Sequence, residues 1–334
     1  MKVVRPLRGM TYKDWQADRV NGIGGSEIGA IMGLSQYSSP IMVFVSKVAP
    51  EEMVVEEKES MYWGRELEHI VKREFVKRMK AKGVNLKVER YPYIVCHDDY
   101  PWARANLDYR FTDEEGKWGV LECKTANEYS KHDWETGKVP DSYYAQVNWY
   151  LGITGYDYAY LAVLIGGNEF LIFKIEKNQE FFDKQLATGI TFWEYNVKER
   201  RMPEPIGNPG EDKYLGLAEG AFLADDPFTA AEIVKLLEQR DEIADVIDQL
   251  DTEKKRLATL VAQKMGGRKR AELNGWKISN DKRFTITPPK EFHSAVVSLQ
   301  FAKAYIARNL IYLKEAQYVD QNGVSGDWLD NLNL

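Results

Sequence analysis

Apolar positions recur at helical spacing in several stretches of this chain and alternate in others, so the pattern separates helices from strands before any chemistry is considered. Across residues 60–82, Leu67, Ile70, Val71, Phe75 and Met79 fall on one face, Lys and Arg crowd the end, and Gly83 follows, which predicts a helix. Residues 86–96, 103–111 and 118–124 alternate and are rich in aromatic and β-branched side chains, which predicts three strands. Asp113, Glu114, Glu115 and Gly116 supply the turn between the last two. Residues 14–33 read as a turn and then a helix, with Ser26 at the N-cap and Glu27 in the first turn. A helix is expected over 141–151, a hairpin over 156–165 and 169–176 around Gly166 and Gly167, and a helix over 178–200 ended by Pro203.

The stretch PEPIGNPG at 203–210 is a linker by composition, so a boundary is placed there, with domains at 1–205 and 211–334. Beyond it, Leu236, Ile243, Ile247, Leu250, Leu257 and Val261 follow alternating three- and four-residue steps, a coiled-coil-like stripe interrupted by Arg240 and Lys254. Gly266 and Gly267 end that helix, a strand pair is expected around Trp276 and Phe284, and a further helix over 293–312.

Composition narrows the class. At 334 residues the chain can bury a full core, and its apolar runs, such as 158–165, are too short to cross a bilayer. The N-terminal ten residues show no apolar core or small-residue cleavage site, and the only cysteines are Cys96 and Cys123. A reducing, cytoplasmic setting without disulfides or structural zinc is therefore expected. The net charge of −6 carries no global signature for nucleic acid, but the charge is segregated. Residues 211–253 hold 13 acidic and 3 basic side chains, and residues 254–283 hold 10 basic and 2 acidic ones. The second block reads as a solvated basic surface or as an arm for phosphates or an acidic partner.

The candidate chemistry lies between two predicted strands. Side chains alternate faces along a strand, so Glu122 and Lys124 project together with Cys123 opposite, and Asp108 comes from the preceding strand. Hard divalent cations need oxygen ligands, which Asp108, Glu122 and the Cys123 carbonyl can supply. Lys124 is placed to orient or deprotonate a water aimed at a phosphodiester. A lone E-x-K is common on solvated faces; here it follows an Asp-bearing strand and precedes a helix carrying Tyr143 and Gln146.

Five motifs in order resemble the YqaJ-type viral recombinases, relatives of lambda exonuclease in the PD-(D/E)xK nuclease superfamily. They are RVNGIGGSE at 19–27, WGRELE at 63–68, NLD at 106–108, ECK at 122–124 and YYAQ at 143–146. The resemblance implies an α+β (α/β) fold of the restriction-endonuclease type, a mixed β-sheet core flanked by helices, followed by a mainly helical C-terminal appendage. It is in line with Mg²⁺ as cofactor, with Mn²⁺ as a substitute, and implies that Asp108 and Glu122 hold the metals, beside the Cys123 carbonyl, while Glu68 completes or orients a second metal site. Lys124 would serve the attacking water, Gln146 and Tyr143 would support the site, and Arg19 and Ser26 would bind a terminal 5′-phosphate. It further implies 5′→3′ digestion of double-stranded DNA ends, leaving 3′ single strands for a single-strand annealing protein. A homo-oligomeric ring, a trimer by family, and a phage- or prophage-type protein in a bacterial cytoplasm belong to the same expectation. One departure is Asn106-Leu107 before Asp108, where many superfamily members have proline, which alters turn stiffness rather than ligand chemistry. A structure- or site-specific endonuclease of the same superfamily and a non-enzymatic DNA-end-binding protein are the competing readings. The iron–sulfur branch needs four cysteines and is excluded by the two present.

Overall fold

Thr11 and Asp14 satisfy each other's backbone N–H groups in a capping box, which starts α1 (Tyr12–Arg19) soon after β1 (Lys2–Pro6). The computed structural model describes residues 1–53, 59–134, 139–216, 227–274, 276–280 and 284–287. The next helix, α2 (Gly25–Ile31), is capped by Gly24, whose N–H donates to Glu27 Oε2 at 2.8 Å. Ser26 therefore lies inside the first turn rather than at the N-cap, because Glu27 reaches back and takes the capping role. Ser39 caps α3 (Pro40–Val48), and α4 (Glu59–Ala81) ends at Gly83, whose φ of 78° suits glycine.

Proline at 92 has no N–H for a ladder, so the first expected strand splits into β2 (Lys87–Arg90) and β3 (Tyr93–Cys96). The second splits at Leu107 and Asp108 into β4 (Arg104–Asn106) and β5 (Tyr109–Thr112). The pieces join different sheets. β1, β3 and β4 form one three-stranded sheet, and the main sheet has the order β2-β5-β6-β7-β8. Its remaining strands are β6 (Trp118–Ala126), β7 (Tyr158–Ile165) and β8 (Glu169–Glu176). β6 and β7 run parallel, and all other neighbours in the main sheet are antiparallel. A parallel pair needs a crossover, which is α5 (Asp141–Thr154).

The alternation of β6 divides the core in two. Leu121 and Cys123 join Val71, Phe75 and Met79 of α4 on one face. Val120 joins Ile28, Val43, Val147 and Leu151, from α2, α3 and α5, on the other. Asn178 caps α6 (Gln179–Thr191), which continues through a π-helical stretch, Phe192–Lys198, as one long segment. The result is an α+β fold with a mixed sheet between helical layers.

The chain divides into two units, residues 1–219 and 220–334. The segment 203–210 is held to the first unit instead of linking two. Buried Glu211, just before α7 (Asp212–Leu215), accepts the N–H groups of Ile206, Gly207 and Asn208 at 3.1, 2.9 and 3.0 Å. Asn208 Nδ2 in turn reaches the carbonyls of Ser35 and Ser38 at 3.3 and 3.4 Å. Proline and glycine here shape an ordered turn, which composition alone does not distinguish from a tether. In the second unit, α8 (Pro227–Lys264) precedes an antiparallel sheet of β9 (Arg270–Leu273), β10 (Trp276–Asn280) and β11 (Phe284–Thr287). The helix expected over 293–312 lies outside the described residues.

Candidate active site

The β5–β6 ladder ends at the pair Tyr109↔Leu121, and the next β6 N–H on that side belongs to Cys123. No backbone carbonyl meets it. The chain bends at Asp108, and Asp108 Oδ2 accepts the Cys123 N–H at 2.9 Å. Asp108 thus sits at a break between strands, its side chain standing in for the missing strand. On a strand the N–H and C=O of one residue point the same way, so the Cys123 carbonyl faces the same edge as Asp108.

Glu122 and Lys124 project from the opposite side of β6 to Cys123, toward α5. Glu122 is 2% exposed, and its Oε1 meets Lys124 Nζ and Gln146 Nε2, each at 2.7 Å. Its Oε2 is buried with no hydrogen-bond partner. Gln146 also donates to the hydroxyl of buried Tyr150 at 3.0 Å. The Tyr143 ring lies 5.4 Å from Lys124 Nζ and stacks on buried Trp134.

Burial and then the Glu122 carboxylate push the Asp108 carboxyl up to about 7. Glu122 is raised as well, by burial against the pull of Lys124. Burial disfavours the Lys124 ammonium, but Glu122 and Asp108 outweigh it and hold the lysine above its ordinary value. Without a cation, Lys124 is therefore a proton-bearing counter-ion and not a free base.

Glu68 approaches from the other face, because α4 packs against the Cys123 side of the sheet. It is raised by burial and then by the Asp108 carboxylate, and it faces Arg90 Nη2 at 3.5 Å. Among the described residues, no three His, Cys, Asp or Glu side chains converge as a metal cluster. The cradle for a cation is instead the half-buried Asp108 carboxylate, the unpartnered Glu122 Oε2 and the Cys123 carbonyl. This all-oxygen set fits Mg²⁺ or Mn²⁺.

Arg19 and Ser26 are brought together but not left open. Arg19 Nη2 lies 3.5 Å from Ser26 Oγ and 2.7 Å from Glu27 Oε1, and Lys47 Nζ reaches the same Oε1 at 2.8 Å. Burial opposes the Glu27 charge, yet Arg19 and Lys47 hold its carboxyl down at about 2. Lys47 is pulled down by burial, against Glu27. Arg19 and Lys47 thus share the one Glu27 carboxylate, beside exposed Ser26. A Cβ built on Gly25 would lie 2.5 Å from Tyr150 Cε1 and 3.0 Å from Gln146 Cγ, so this cluster abuts Gln146, which holds Glu122.

Sequence reasoning missed Glu27 as an ion-pair centre, Lys47 and Tyr150. Lys47 sits in the apolar run of α3, where a lone lysine signals a buried partner. Tyr150 lies one turn after Gln146, a spacing that pointed to it.

Residues 14–157 match the model of the YqaJ-like viral recombinase domain. The chain is 35% identical over 208 residues to the uncharacterized protein YqaJ of Bacillus subtilis (strain 168), covering 62% of this chain and 63% of that protein. The chain thus spans less than two thirds of that relative's length. The fold is similar to an alkaline exonuclease (LHK-Exo) from Laribacter hongkongensis, with a TM-score of 0.45 and 17% identity over 56% of this chain and 93% of that one. A phage-related exonuclease from Haemophilus somnus 129PT gives a TM-score of 0.37 and 14% identity over 54% and 96% of the two chains.

Proposed function

We propose that this chain, whose residues 14–157 match the model of the YqaJ-like viral recombinase domain, is a Mg²⁺-dependent 5′→3′ exonuclease on double-stranded DNA ends. One observation carries the reading: a buried, unpartnered carboxylate oxygen on Glu122 beside Asp108 and Lys124. Two neighbouring carboxyls with raised pKa values, one of them buried with an oxygen that no donor meets, are costly to the fold, which points to a ligand site.

Asp108, Glu122 and the Cys123 carbonyl would hold the cation, with Glu68 at the margin of the site. Mg²⁺ there supplies Lewis-acid neutralisation of charge on the phosphodiester. Lys124 Nζ, bearing its proton, donates to the attacking water and to a phosphoryl oxygen, and fixes the line of attack. Gln146 holds Glu122 Oε1, so that Oε2 remains turned to the cradle, and Tyr150 holds Gln146. Tyr143, braced by Trp134, limits the space around Lys124 and keeps the ammonium partly dry.

Polarity needs a group that recognises one end. A terminal 5′-phosphate carries more charge than an internal diester, and Arg19 with Ser26 offers donors next to the Gln146 edge. Products with 3′ single strands suit a single-strand annealing partner, and a ring of copies would keep the enzyme on its track. Linear duplexes labelled at each 5′ or 3′ end test the reading. The expected result is Mg²⁺-dependent release of 5′-terminal label first, faster from phosphorylated ends, with covalently closed circles untouched. Cleavage of closed circles would replace the exonuclease by an endonuclease.

A further inference from the structure

A helix of 38 residues is about 57 Å long at 1.5 Å per residue, and α8 exposes an apolar stripe along much of that length. Leu236, Ile247, Leu250 and Leu257 are 57, 52, 51 and 50% exposed, and Ile243 and Val261 complete the three- and four-residue steps. Leu237, Val246 and Leu260 widen the stripe. An apolar patch of this extent marks a binding surface.

We propose that the stripe pairs antiparallel with α8 of a second copy of this chain. Charge decides both the partner and the direction. Residues 232–248 carry six acidic and two basic side chains, whereas 249–264 carry two acidic and four basic ones. Arg268, Lys269 and Arg270 follow directly. One copy therefore carries the complement of its own other half, which is what a two-fold self-association requires. A parallel pair would set Arg240 against Arg240 and Lys254 against Lys254 in the seam, with acidic block on acidic block.

Reversing one helix removes these conflicts. With the two-fold axis between Asp248 and Gln249, Ile247 meets Leu250, Ile243 meets Lys254, Arg240 meets Leu257 and Leu236 meets Val261. Each cation then lies opposite an aliphatic residue and can run its stem along the stripe while its head reaches out. Arg240 pairs with Asp241 at 2.7 Å.

Sedimentation of the full chain tests the pairing. The assembly mass is expected to halve when Ile247 and Leu250 are both changed to Asp, with helical content unchanged by circular dichroism. A mass that the substitutions leave unchanged overturns the proposal, and is the outcome if residues 288–334 of the same chain, or DNA, cover the stripe instead. A conservative pair decides the case if the Asp variant unfolds. The Leu236→Cys, Val261→Cys double variant should oxidise to a covalent dimer in high yield, and neither single variant should do so. Efficient dimerisation of Leu236→Cys alone would mean a parallel pair and overturn the proposal equally.

Discussion

Asp108 and Glu122 lose water where the β5–β6 ladder ends, and Lys124 with the N–H groups of Cys123 and Gln146 offsets their charge. The sign of the resulting pH dependence follows from the Asp108 carboxyl at about 7. A raised carboxyl binds its proton more tightly in the folded state, so this stabilisation is full below about pH 4 and is lost as pH rises through 7. Asp108→Asn is therefore expected to stabilise the cation-free protein at pH 8 by about 1–3 kcal/mol while abolishing hydrolysis, and melts in chelator measure it. Cation binding should strengthen over the same rise, since the protonated acid is a poor ligand. At the other cluster, Arg19→Ala should slow digestion of 5′-phosphorylated ends about tenfold or more, from a loss of about 1.5–3 kcal/mol. Ends with a 5′-hydroxyl should be nearly unaffected, and the ratio of the two rates reads the effect. Equal rates in the native protein would reduce Arg19 to a partner of Glu27.

Elements place these residues through a few close approaches. α2 comes within reach of α5 because Gly25 has no Cβ, which would meet Tyr150 Cε1 at 2.5 Å. Gly25→Ala is expected to cost about 1–3 kcal/mol of stability by forcing Tyr150 aside. It should also lower kcat, since Tyr150 holds Gln146; an unchanged kcat in a folded variant would show that the Tyr150 contact is idle. The helical and hairpin periodicities were legible: α4, α5, β7, β8 and α8 stand where the apolar spacing puts them. The alternation of β6 likewise put Glu122 and Lys124 on one face, where they meet at 2.7 Å. The breaks within 86–96 and 103–111 were not legible, because alternation continues across Pro92 and Asp108 while the pieces pair in different sheets. Ser26 resembled a cap because a serine before an apolar run usually is one; Gly24 and Glu27 supply the cap here. Long-range partners such as Lys47 for Glu27 leave no periodic trace.

At the scale of the whole molecule, the proposed catalytic residues all lie within residues 1–219, and among the described residues no helix is long and apolar enough to cross a membrane. The first unit depends on its last turn: Glu211 closes three N–H bonds, and Tyr214 packs against the core. A chain ending at residue 219 should therefore be more stable to denaturant than one ending at 210 by about 1–3 kcal/mol. Equal midpoints would return the boundary to the 203–210 segment. The central claim is that Asp108, Glu122 and Lys124 form a cation-dependent phosphodiesterase centre. Its most direct measurement is the rate of nucleotide release from a linear 5′-phosphorylated duplex at saturating Mg²⁺, for the native chain and for Glu122→Gln and Lys124→Ala. The expected result is release by the native chain that stops in chelator, with Lys124→Ala slower by about 10²–10⁴-fold and Glu122→Gln inactive although folded. Native-like release by either variant, or none by the native chain with Mg²⁺ or Mn²⁺, would contradict it.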